Sequence, residues 1–114
     1  IYEPDEALRV LLNTILNLQG YKTKAIDKYS LPTEEEVPAI IIIDAGDLEK
    51  KNGLNLCYQI KQNKEFQAAK IIVTSIIHDK ELVLNAGADL YLPKPYEIPT
   101  LIKWVDIFIK EFNN

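Results

Sequence analysis

Apolar and polar positions alternate along this chain with two periods, one helical and one extended. From Asp5 to Gln19, Leu8, Leu11, Leu12, Ile15 and Leu18 recur at intervals of three and four, the spacing of one helix face, and Gly20 supplies a stop. Tyr21 to Ile26 is short and carries β-branched and aromatic residues, the mark of a strand. Ala39 to Ile43 is an almost unbroken apolar run, as expected of a strand buried on both faces. Between those two, Leu31, Pro32 and the stretch Thr33 to Glu36 leave room for only a turn or two of helix, weakened by the proline. Leu56, Cys57 and Ile60 predict a helix over Gly53 to Asn63, and Ile71, Ile72 and Val73 predict a strand over Lys70 to Thr74. A shorter helix from Asp79 to Ala86 ends at Gly87, a brief strand follows at Leu90 to Leu92, and a last helix runs from Ile98 to Phe112.

Strands and helices in strict alternation predict an α/β fold: a doubly wound, five-stranded parallel sheet in the order 2-1-3-4-5, with helices on both faces and right-handed crossovers. That order needs a strand before the first helix, yet only Ile1 and Tyr2 precede Glu3 and Pro4. The first strand is therefore expected to be truncated in this fragment, leaving neighbouring edges short of partners and part of the core unfilled.

The chain has 114 residues, the size of one domain, assigned here to residues 1–114. An apolar share of 47% with 26% charged residues is that of a folded, non-membrane protein. The net charge of −4, without a stripe of Lys or Arg, argues against nucleic-acid or acidic-membrane partners. Cys57 is the single cysteine and sits in an apolar pattern, which points to a buried thiol in a reducing compartment. His78 has no Cys or His at ligand spacing and reads as an ordinary loop residue. No apolar run reaches the roughly 20 residues of a membrane span and no leader pattern is seen, so the cytoplasm is the expected location.

Reactive groups of a doubly wound sheet gather beyond the carboxyl ends of its strands. In "IIIDAGD", Asp44 follows the most apolar strand directly; "IIVTS" puts the Thr74 hydroxyl at the end of the next; "YLPKP" puts Lys94 at the end of the last; and Glu3 stands at the exit of the first. Each alone is commonly a turn former or a solvated strand end. Together they suit phosphoryl acceptance, because a carboxylate attacks a phosphoryl centre only when a cation and hydroxyl donors offset the crowded negative charge.

Across nearly its whole length the chain resembles the CheY-like receiver domains of two-component response regulators. The resemblance rests on "IIIDAGD", "NGLNLCYQIK", "KIIVTS" and above all "GADLYLPKP". It implies a flavodoxin-like fold and a signalling module instead of an enzyme. In it Asp44 is the phosphoacceptor, Thr74 the hydroxyl that contacts the phosphoryl group, Lys94 its cationic partner and Tyr91 the aromatic that reports the switch. The Lys94–Pro95 peptide is expected to be cis. The resemblance further implies a histidine kinase or phosphotransfer protein as donor, with Mg2+ held by Asp44, the Gly46 carbonyl and an acidic pair at the end of the first strand. Aligned on Glu3-Pro4-Asp5, Ile1 and Tyr2 fall where that pair belongs, so the metal site is expected to be weak or absent, with Glu3 or Asp47 as substitutes. The loop after Asp44 lacks the usual proline, Gly53 arrives nine residues after Asp44, and the stretch from Thr74 to Gly87 is short.

These features leave two readings: a switch driven by phosphorylation of Asp44, and a pseudo-receiver that binds partners without phosphoryl transfer. A flavin or dinucleotide binder is excluded by the acidic "IYEPDE", which would repel phosphate, and haloacid-dehalogenase chemistry by Gly46, which stands where a second Asp is needed. On the last helix, Ile98, Leu101, Ile102, Val105, Phe108, Ile109 and Phe112 form the stripe expected to dock on the sheet. Ile107 projects opposite it and Trp104 lies at its flank, beside Thr100 and Glu111. The two read either as ordinary exposed apolar residues or as a contact surface for a second copy or an output partner.

Overall fold

A computed structural model describes residues 1–47 and 49–113. Three parallel strands, β1 (Ile40–Asp44), β2 (Lys70–Ser75) and β3 (Leu90–Pro93), form a continuous sheet in the order β1-β2-β3. Beyond β1, Tyr2 bridges in parallel to Ile43 on one side and to Ile26 on the other. The Tyr2 amide donates to the Ile42 carbonyl (2.7 Å), the Tyr2 carbonyl accepts from Asp44 (2.8 Å), and the Glu3 amide donates to Ile26 (3.2 Å). Reading Ile26 and Tyr2 as the outer two positions, the sheet has the expected 2-1-3-4-5 order. The segments expected as the first two strands are each reduced to a bridging residue, flanked by a hydrogen bond from the Ile26 amide to the Ile1 carbonyl at 2.8 Å. A cavity of about 810 Å³ lies between that segment and β1, lined by Tyr21, Lys24, Ile26, Ile40 and Ile42 among others.

The period of two in the strands sends successive side chains to opposite faces. Ile41, Ile43, Ile71 and Val73 build one apolar cluster with α2 (Asn52–Gln62) and Val83 of α3 (Lys80–Asn85); Ile42, Ile72 and Leu92 build the other with α1 (Glu6–Leu18) and α4 (Ile98–Phe112). Asp5 caps α1 by accepting from the Leu8 amide at 2.9 Å. The buried face of α1 is centred on Leu12 and Leu16, so Leu11 and Leu18, placed in the docking stripe by spacing alone, face solvent at 45% and 80% exposure. The connection from Asp27 to Ala39 holds a single 3-10 turn at Glu34–Glu36. Leu101, Val105 and Phe108 anchor α4, whereas Phe112 is largely exposed. Ile107 is half-buried against the second cluster and does not stand clear of it; Trp104, also half-buried, tilts against Phe108 with ring centroids 5.8 Å apart. Cys57 is fully buried, and desolvation pushes its thiol up to about 12, consistent with an inert core residue.

Gly53 opens α2 directly against the carboxyl end of β1. A Cβ there would stand 1.8 Å from the Asp44 carbonyl oxygen and 2.7 Å from the Ala45 backbone, while the Gly53 amide donates to the Ala45 carbonyl at 3.0 Å. Its role is close approach, since its conformation is helical. Gly53→Ala should therefore destabilise the fold by about 3 kcal/mol, the upper end of overpacking costs, as read from the urea midpoint at unchanged slope.

Candidate functional site

Parallel pairing sets β1 and β2 in register so that Asp44 lies beside Thr74, and the same pairing sets Thr74 beside Leu92 on β3, two residues before Lys94. The Lys94 amide donates to the Ser75 carbonyl at 2.7 Å, and the Lys94–Pro95 peptide is cis, as expected. Lys94 Nζ lies 2.7 Å from Asp44 Oδ2 and 2.6 Å from Glu3 Oε1. One ammonium from near the end of the chain thus joins a carboxylate from its beginning to one from its middle.

Asp44 Oδ1 accepts from the Gly46 amide at 2.9 Å and from the Tyr29 hydroxyl at 3.3 Å. Gly46 reaches this position with φ 87°, in the left-handed region that glycine enters without penalty. Glu3 is 3% exposed; its Oε2 accepts from the Asp5 amide at 3.0 Å, and its carbonyl accepts from Arg9 at 2.9 Å. Burial alone would lower the Lys94 pKa, but the hydrogen bonds and charges of Asp44 and Glu3 outweigh it and raise the ammonium above its ordinary value. Thr74 is buried at the adjoining strand end. Tyr91 sits half-buried against the first cluster and donates to the Ile77 carbonyl at 3.0 Å, which ties β3 to the loop after β2.

The structure brings Glu3, Asp44, Gly46, Thr74 and Lys94 to one edge. It corrects the alignment of the first strand: Tyr2 lies inside the sheet, its amide and carbonyl both hydrogen-bonded to β1 while Ile1 and Glu3 pair with Ile26, and Glu3 is the residue that emerges beside Asp44, followed by Pro4. Asp47 does not substitute there, since it is exposed and accepts from the Lys50 amide in its own turn. Two contributors were not read from the sequence. Tyr29 comes from the irregular connection after Ile26, a segment without periodicity to orient it. Tyr96 follows Pro95; burial, with the charges of Glu3 and Asp44 and against that of Lys94, raises its pKa to about 12, and its buried hydroxyl has no hydrogen-bond partner among the described residues.

Residues 1–106 match the family model described as the response regulator receiver domain. The chain belongs to that family. It is 31% identical over 96% of its length to the phosphate regulon transcriptional regulatory protein PhoB of Rhizobium meliloti, covering 51% of that protein. To the KDP operon transcriptional regulatory protein KdpE of Escherichia coli it is 32% identical over 89% of its length, covering 46%. The receiver thus spans about half the length of these curated relatives. Among solved structures, it superposes on a CheY-like receiver domain protein from Methanospirillum hungatei with a TM-score of 0.81 at 22% identity, covering 98% of this chain and 92% of that one. It also superposes on the receiver domain of a histidine kinase from Syntrophus aciditrophicus with a TM-score of 0.79 at 25% identity, covering 96% and 87%. These likenesses establish a signalling module of the CheY-like fold.

Receiver domains commonly bind Mg2+, an ion that wants near-octahedral oxygen ligands. Here two carboxylates and the Gly46 carbonyl are at hand, Pro4 contributes no side-chain oxygen, and the Lys94 ammonium already bridges the carboxylates. Among the described residues no group of three or more His, Cys, Asp or Glu side chains is arranged to hold a metal. Glu3, Asp44 and Gly46 are the residues that would hold the ion.

Lys94→Met would leave the buried Glu3 and Asp44 carboxylates facing each other without a cation. Stability at pH 7 should fall on the order of 3 kcal/mol, the cost of breaking a buried pair by removing one partner. Because the folded Lys94 pKa lies above its unfolded value, the wild type has this contribution in full below the ordinary lysine value and loses it as pH rises from there through the raised value. Urea titrations from neutral to strongly alkaline pH should show that late loss in the wild type and none of it in the variant.

Proposed function

We propose that this receiver accepts a phosphoryl group on Asp44 from a histidine kinase or phosphotransfer protein and passes the change to a protein-contact face. The observation that carries this reading is the 2.7 Å contact between Lys94 Nζ and the Asp44 carboxylate, with the Thr74 hydroxyl residue at the adjoining register position. In the transfer, a carboxylate oxygen of Asp44 attacks phosphorus, the donor's bond to phosphorus breaks, and its electron pair leaves with the donor group. Lys94 offsets the negative charge that accumulates, and Thr74 supplies a hydroxyl donor at the strand end. Tyr91, tied to Ile77, couples β3 to the loop after β2. Relatives named as transcriptional regulatory proteins make transcription the first output to test.

A pseudo-receiver remains the second reading, favoured by Pro4 beside Glu3 and by an ammonium that already joins both carboxylates. Both readings assign magnesium a weakened role here. On α4, Ile107 lines a shallow groove with Pro99, Ile102, Lys103, Asp106 and Lys110, while Trp104 lies outside it against Phe108. We assign this helix face, Trp104 and Ile107 included, to contact with a second copy or an output partner.

Incubation with acetyl phosphate and magnesium should add about 80 Da, the mass of one phosphoryl group, to the wild type and nothing to Asp44→Ala. No gain in the wild type, from acetyl phosphate or from a kinase donor, would decide for the pseudo-receiver. Calorimetric titration should give weaker magnesium binding than a receiver with two acidic residues after its first strand, measured alongside. Ile107→Lys should weaken self-association or partner binding in sedimentation while shifting thermal unfolding little; a monomer at every concentration with unchanged partner binding would remove α4 from the contact face.

A further inference from the structure

Of the two site groups not read from the sequence, Tyr29 carries an inference that the family resemblance does not supply. Its ring packs against the first apolar cluster beside the Ile26 bridge. Its hydroxyl reaches Asp44 Oδ1 at 3.3 Å. This approach depends on the connection from Asp27 to Ala39, which holds one 3-10 turn in place of a longer helix. Asp44 therefore receives donors on both oxygens: the Gly46 amide and Tyr29 on Oδ1, Lys94 on Oδ2.

We propose that the Tyr29 hydroxyl is a leaving-group donor, stabilising the free Asp44 carboxylate and so shortening the lifetime of the phosphorylated state; this rests on the phosphoacceptor reading above. In hydrolysis of phosphoryl-Asp44, water oxygen bonds to phosphorus and the bond from phosphorus to the Asp44 oxygen breaks. The electron pair returns to the carboxylate, inorganic phosphate departs, and the water's proton passes to solvent. The returning charge is shared over both carboxylate oxygens, so a donor at Oδ1 stabilises it whichever oxygen had carried the phosphoryl group. The same hydrogen bond holds the carboxylate lower in energy before phosphorylation, which slows attack on a donor. Tyr29 acts as a neutral donor throughout: burial, then the charge and hydrogen bond of Asp44, then the charges of Glu3 and Asp47, all raise its pKa.

The test uses the whole chain, phosphorylated with acetyl phosphate, freed of donor by rapid desalting and followed by intact mass. Tyr29→Phe keeps the ring and removes only the hydroxyl. It should lose the phosphoryl group about two- to tenfold more slowly, the worth of one hydrogen bond in a rate, and accept it no more slowly than the wild type. Tyr29→Leu, which removes the ring as well, should also decay slowly. Decay of Tyr29→Phe at the wild-type rate, with only Tyr29→Leu altered, would assign Tyr29 to packing and overturn the proposal. Faster decay of Tyr29→Phe would overturn it too, showing that the hydroxyl shields the phosphoryl group from water. A wild type that gains no mass, like Asp44→Ala, would instead overturn the phosphoacceptor reading and the proposal with it.

Discussion

The ammonium of Lys94 is the tie on which the rest of this receiver depends. It lies 2.6 Å from Glu3 and 2.7 Å from Asp44, joining the residue that leaves the sheet first to the acceptor and to the last strand. Neither carboxylate would be tolerated at this depth without a cation, because a partly desolvated charge must be paired. The backbone serves the same end. Parallel register puts Asp44 beside Thr74, and the hydrogen bond from Lys94 to Ser75 fixes where the lysine stem begins.

Asp44, Thr74 and Lys94 were legible in the sequence because each directly follows, or closes, a short apolar strand, and a doubly wound sheet delivers such residues to one edge. Glu3 was legible as a candidate but displaced in alignment, since so short a first strand has no periodicity to fix its register. Only the backbone pairing, Tyr2 with β1 and Ile1 and Glu3 with Ile26, shows which residue leaves the sheet. Tyr29 left no sequence signal at all. Its position is set by the path of an irregular connection and by the packing of a ring, neither of which repeats along the chain.

The helices show the same division. The range Ile98–Phe112 of α4 was readable from spacing, and the bounds of α2 were readable to within one residue. Which face turns inward was less so. A leucine-rich helix such as α1 offers several overlapping apolar stripes, and contact with Ile42 and Ile72 selects the one through Leu12 and Leu16. The exposed Leu18 follows from that choice.

At the junction of β1 and α2, the backbone of Gly53 lies so close to Asp44 and Ala45 that no methyl group fits between them. Close-packed backbone transmits displacement without slack. The acceptor and the first turn of α2 are therefore mechanically one body, and a shift of the Asp44 main chain is felt at Leu54, Cys57 and the core behind them as a push and not as a loosened contact.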